Sequence, residues 1–75
     1  MTANRVDVKK LLLGKWTAVQ PQGREKHFLV TRLILPEPPE TRLQWIEIEA
    51  VHSGSSRRIA WRELKDAGLW RRGWV

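Results

Sequence analysis

Two groups of side chains in this 75-residue sequence are spaced for chemistry. The first is the run Arg24-Glu25-Lys26-His27. Arg24 and Lys26 are cationic donors suited to an anion or phosphate, with His27 at the mouth of the following strand. The same run serves equally as a turn whose charges satisfy one another and the solvent. The second group interleaves indoles with guanidinium groups, in Trp61-Arg62-Glu63 and in Trp70-Arg71-Arg72-Gly73-Trp74. Bases of a single strand stack on aromatic faces while arginine neutralises phosphate. An arginine laid over a tryptophan inside one protein is the same chemistry turned inward. Arg57 and Arg58, like Arg71 and Arg72, have no evident local partner, which marks them as binding candidates.

Other chemistries are short of parts. His27 and His52 are the only histidines, they are not at ligand spacing, and there is no cysteine, so no metal site is expected. Glu25 with His27, or Glu63 with Asp66, can be written as an acid–base pair. Neither pair comes with a nucleophile, a glycine-rich phosphate loop or a nucleophile elbow, so no catalytic residue, small-molecule substrate or cofactor is expected. The expectation is a binding protein and not an enzyme.

Composition limits how these groups can be held. A chain this short is near the lower limit for folding on a hydrophobic core alone, and it has no disulfide to help. With one Phe, no Tyr and five Trp, the tryptophans are its main aromatic filling. Each buried indole removes roughly 150–250 Å² from water, so most of the five are expected inside. The absence of cysteine, of a long apolar span and of an N-terminal apolar leader leads to the expectation of a cytoplasmic protein without a membrane partner. Net charge is +6 and unevenly distributed. Residues 1–36 and 53–75 are basic, and between them Glu37, Glu40, Glu47 and Glu49 outweigh Arg42. A basic exterior favours a polyanionic partner, though a solvated charged surface is also ordinary.

The elements that must position these residues read as one domain, 1–75. Residues 1–13 form a lead-in or short helix with Asp7 as N-cap and Gly14 at the C′ position. A sheet follows over 15–61. Lys15–Gln20 is the first strand, stopped by Pro21 and a Gln22-Gly23 turn. Lys26–Leu35 is the second, with Phe28, Val30 and Ile34 on one side and Leu29, Leu33 and Leu35 on the other. Pro36, Pro38 and Pro39 end it. Arg42–His52 alternates cleanly, placing Ile46, Ile48 and Ala50 on the core face and Trp45, Glu47 and Glu49 outward. Ser53–Ser56 is a hairpin loop, and Arg57–Trp61 returns with Ile59 and Trp61 inward and Arg58 outward. Residues 62–75 are helical turns and a closing segment, because Leu64, Ala67 and Trp70 recur every third residue and Asp66 can cap.

Several of these segments together resemble a known family. They are Gly14-Lys15-Trp16-Thr17-Ala18, then Pro21 with Arg24-Glu25-Lys26-His27-Phe28, then Trp61-Arg62-Glu63-Leu64-Lys65-Asp66 with Trp70 and Gly73-Trp74. In these the chain resembles the small Trp-rich protein family of cyanobacteria and proteobacteria, from about Leu11 to Trp74. Two features depart from its pattern: no Ser separates Gly14 from Lys15, and the Pro36–Glu40 turn is lineage-specific. The resemblance implies a bacterial cytoplasmic protein, and it brings no reaction or cofactor.

The expected fold is mainly β: a small antiparallel sheet of four or five strands, curled into a half-open or SH3-like barrel, with a short C-terminal helix. The leading expectation for function is a basic module binding RNA or another single strand through Arg24, Lys26, His27, Arg57, Arg58, Arg62, Arg71 and Arg72. The alternative is a protein-interaction or assembly module that receives a peptide or larger complex at a groove or at the exposed Trp45. Convergence of the arginines on one face favours the first, and an apolar groove rimmed by both signs favours the second. The strand phases also predict that Trp61→Ala unfolds the protein while Trp45→Ala leaves it folded. Circular dichroism of the two variants checks the phases, and the reverse result refutes them.

Overall fold

A computed structural model describes residues 3–75. Its strands are β1 (Lys15–Gln22), β2 (Glu25–Ile34), β3 (Trp45–Ala50), β4 (Ser56–Ala60) and β5 (Trp70–Arg72). They form one antiparallel sheet in the order β4-β3-β2-β1-β5. The mainly β architecture is as expected. The sheet, however, remains open, with β4 and β5 at opposite edges, in place of the expected half-open or SH3-like barrel. The expected C-terminal helix is also replaced. Trp61–Lys65 makes a single 3-10 segment, and the chain then extends into β5. The physical cause is Asp66, whose side chain accepts the Gly68 N–H at 2.8 Å and whose carbonyl accepts from both Leu69 and Trp70. The cap expected to start a helix instead makes a turn of the kind Asp favours.

The lead-in is likewise shorter than a helix. Asp7 caps as expected, accepting the Lys9 N–H at 2.9 Å, but the turn it starts covers only Val8–Lys10. Leu13, and not Gly14, takes the left-handed conformation, at φ 63. Gly14 is needed for closeness: a Cβ there would sit 2.9 Å from the Leu11 carbonyl and 3.3 Å from the Trp16 indole nitrogen.

One face of the sheet holds the core. Trp16, Phe28, Val30, Ile46, Ile48, Ala50 and Ile59 are buried there, closed over by Leu11, Leu64 and Trp70. In β3 the outcome matches the alternation, with Ile46, Ile48 and Ala50 buried and Trp45 exposed. In β2 it does not match throughout. The β2–β3 register slips between Val30 and Arg32, so Leu33 pairs with Ile46 and Ile34 pairs with Trp45. This bulge exchanges the expected faces of Leu33 and Ile34. Pro21 stays inside β1, where the pairing with β2 is already irregular and no ladder bond is lost.

The tryptophans divide accordingly. Trp16 and Trp70 are 4% and 2% exposed. Trp61 leans half-buried on the core and donates its indole N–H to the Leu43 carbonyl at 2.9 Å. Trp45 and Trp74 are exposed. Trp70 packs edge-on against Phe28, with ring centroids 5.2 Å apart, and donates its indole N–H to Glu63 Oε2 at 2.9 Å. Trp70→Ala therefore lowers stability by about 3–5 kcal/mol, read from a urea melt. A loss below about 1 kcal/mol contradicts this packing.

Candidate functional site

The second face of the sheet is where side chains remain available. Its β1–β2 half is covered by the chain end. Gly73 N–H bonds to the Lys15 carbonyl, the Thr17 hydroxyl donates to the Gly73 carbonyl at 2.6 Å, and Val75 N–H donates back to that hydroxyl. These bonds lay Trp74 across the strands, where its indole N–H reaches the Phe28 carbonyl at 3.0 Å. The Lys15 ammonium sits 4.9 Å from the Trp74 ring centroid, and His27 lies beside it at 5.9 Å.

The β3–β4 half is bare. Here cross-strand pairing sets Ile34 beside Trp45 and Ala60, and sets Arg32 beside Glu47 and Arg58. The Arg58 guanidinium lies over the Trp45 ring at 5.4 Å, an exposed cation–π contact worth about 0.5–1 kcal/mol. Glu47 accepts from the Thr31 hydroxyl and pairs with Arg32 at 3.8 Å. Beyond Trp45 lies an open cleft of about 410 Å³. Ile34, Leu35, Pro36 and Trp45 supply apolar surface, with Glu37, Glu40, Arg42 and Arg58 around it. Leu35 is 76% exposed and Trp45 44%, although both are large and apolar. On the far side of Trp45, Arg62 shares a smaller recess with Gln44 and Ala60.

The eight cationic candidates do not come together. Arg24 is exposed in the β1–β2 turn, and Lys26 is exposed at the start of β2. His27 is half-buried, with Nε2 3.2 Å from the Val75 carbonyl. Arg57 lies 5.6 Å over Phe28, whereas Arg58 lies over Trp45 on the other side of the sheet. Arg72 lies 5.9 Å over Trp16 and donates to the Arg5 carbonyl, whereas Arg71 is displayed on the opposite face, beside Thr17. Adjacent residues of a strand point to opposite faces, so neither arginine pair can grip one ligand from one side.

A different basic group does converge, made of one of the eight, Arg72, and three residues outside them, Arg5, Lys9 and Lys10. Arg5, Lys9, Lys10 and Arg72 line an open concavity of about 640 Å³ beside Asp7. The Asp7 cap, legible in sequence, turns the Lys9-Lys10 pair toward this concavity. What sequence did not give was the return of β5 that brings Arg72 to the same place. Among the described residues no three His, Asp or Glu side chains are grouped to hold a metal ion. No helix among them is long and apolar enough to cross a membrane.

With this geometry in place, comparison with known proteins gives one positive finding. The family model described as Tryptophan-rich protein (DUF2389) matches residues 14–75. No curated protein and no solved structure matches the chain. The match takes in all five strands and all five tryptophans, and the chain belongs to this tryptophan-rich family.

Proposed function

We propose that this protein is a cytoplasmic protein-interaction module that receives a partner at the cleft beside Trp45. The observation that carries the reading is an apolar cleft rimmed by both signs of charge: Ile34, Leu35 and Trp45 within, Glu37 and Glu40 against Arg42 and Arg58 around them. Exposed apolar surface bounded by polar groups is the usual sign of a protein-binding site. A tryptophan anchor within such a rim is the usual energetic centre. The alternation that separates Arg57 from Arg58 and Arg71 from Arg72 weighs against a single phosphate-binding face made from those residues. Trp45 is held by strand pairing on a rigid sheet, so little ordering is needed on binding. In a pull-down from lysate treated with nuclease, Trp45→Ala weakens partner retention by at least thirtyfold while the variant stays folded. Equal retention by Trp45→Ala contradicts the reading.

A second reading rests on the Arg5, Lys9, Lys10 and Arg72 concavity, where an RNA or other single strand would place its phosphates. Four phosphate contacts give a slope of about −3 for log affinity against log salt with a single-stranded oligonucleotide. A fluorescence titration measures that slope. No binding at micromolar protein in low salt removes this reading.

A further inference from the structure

The two edges of the sheet are finished differently. At the β5 edge the N-terminal segment supplies a cover: the Asn4 side chain donates to the Trp70 carbonyl at 2.7 Å and to the Leu64 carbonyl at 2.8 Å. The Arg72 guanidinium, in turn, donates to the Arg5 carbonyl at 2.9 Å. At the β4 edge, β4 has no neighbour but β3 among the described residues.

Which backbone groups are free there follows from the register. Ala50 N–H bonds to the Ser55 carbonyl, and Trp61 N–H bonds to the Gln44 carbonyl, with an unbroken register from Glu49↔Ser56 to Trp45↔Ala60 between them. Hydrogen-bonded pairs alternate along an antiparallel ladder, so Arg57 and Ile59 spend their backbone groups on β3. Ser56, Arg58 and Ala60 therefore turn their N–H groups outward, and Ser56 and Arg58 their carbonyls as well. The Ala60 carbonyl faces the 3-10 segment for which Ala60 is N-cap.

Charge selects what can pair with this edge. Two copies meeting β4 to β4 bring Arg57 and Arg58 against Arg57 and Arg58, and like charges opposite one another oppose pairing. A strand carrying acidic side chains meets Arg57 on one face and Arg58 on the other, with Arg62 just beyond. We infer that the β4 edge takes an extended acidic segment of a partner protein as a sixth, antiparallel strand, next to the Trp45 cleft. This inference rests on the protein-interaction reading and names the form and charge of the partner.

The test uses an eight-residue peptide alternating Glu and Val as probe, with an alternating Lys and Val peptide and an oligothymidylate as comparisons. Exchange of the Ser56, Arg58 and Ala60 amide protons is followed by NMR. With the acidic peptide these amides slow at least tenfold, and the basic peptide leaves them unchanged. Ala60→Pro is the decisive variant. Ala60 has φ −69, which suits proline, and its N–H faces away from β3, so the substitution removes an outward donor and no ladder bond. It weakens the acidic peptide at least tenfold, as does Arg58→Glu. Unchanged exchange with the acidic peptide, equal affinity for the basic peptide, or binding indifferent to Ala60→Pro overturns the inference. Oligothymidylate binding that matches the peptide and ignores Ala60→Pro assigns the edge arginines to nucleic acid instead. Edge pairing retained in Trp45→Ala, with lysate partners retained equally, overturns the cleft reading and leaves the edge inference standing. Lysate partners lost in Trp45→Ala but unaffected by Ala60→Pro do the opposite.

Discussion

The structure depends on where Trp70 sits. Its ring closes edge-on over Phe28 in the middle of the sheet, its indole N–H is held by Glu63, and its carbonyl is held by Asn4. One residue thus ties together the 3-10 segment, the last strand, the N-terminal lead-in and the centre of β2. In a chain of 75 residues without a disulfide, few other groups can supply this much contact. The Asp66 turn follows from the same constraint: a continuous helix from Trp61 would not return residues 70–72 to β1, and the β1–β5 pairing would be lost. The Glu63 carboxylate and the Trp70 indole, which read in sequence as parts of separate motifs, are one structural unit.

Once β5 is fixed, the chain end has one direction to go. Thr17, a buried polar side chain, both donates to and accepts from the last residues, and this lays Trp74 on the second face. That face is thereby divided into a covered half over β1–β2 and a bare half over β3–β4. Trp45 lies on the bare half and Arg58 is stacked against it. Several arginines are engaged on aromatic rings: Arg57 on Phe28, Arg58 on Trp45 and Arg72 on Trp16. Of the interleaved indole and guanidinium segments that suggested base stacking, Arg72 is engaged in this way, on Trp16 of the same chain.

The sheet was legible where period alone decides the face. The Ile46, Ile48 and Ala50 alternation in β3 placed Trp45 outward without reference to any other strand. The Asp7 cap was legible because its partner is two residues away. Features decided by distant pairing were not. The slip between Val30 and Arg32 moves Leu33 inward and Ile34 outward, and no residue type in Thr31-Arg32 announces it. The cleft beside Trp45 depends on that slip, since Ile34 contributes to its lining. The separation of Arg57 from Arg58 was implicit in the strand reading, which already turned Arg58 outward. The basic concavity needed the return of Arg72 to the N-terminal turn, a contact spanning nearly the whole chain.

The central claim is that the tryptophans are divided, with Trp70 in the core and Trp45 offered to a partner. Five indole N–H signals in a nitrogen-15 correlation spectrum, titrated with a soluble paramagnetic agent, test it most directly. The account predicts that the Trp45 signal is lost early and that the Trp70 and Trp16 signals persist to the end. Early loss of Trp70 together with a protected Trp45 would contradict it.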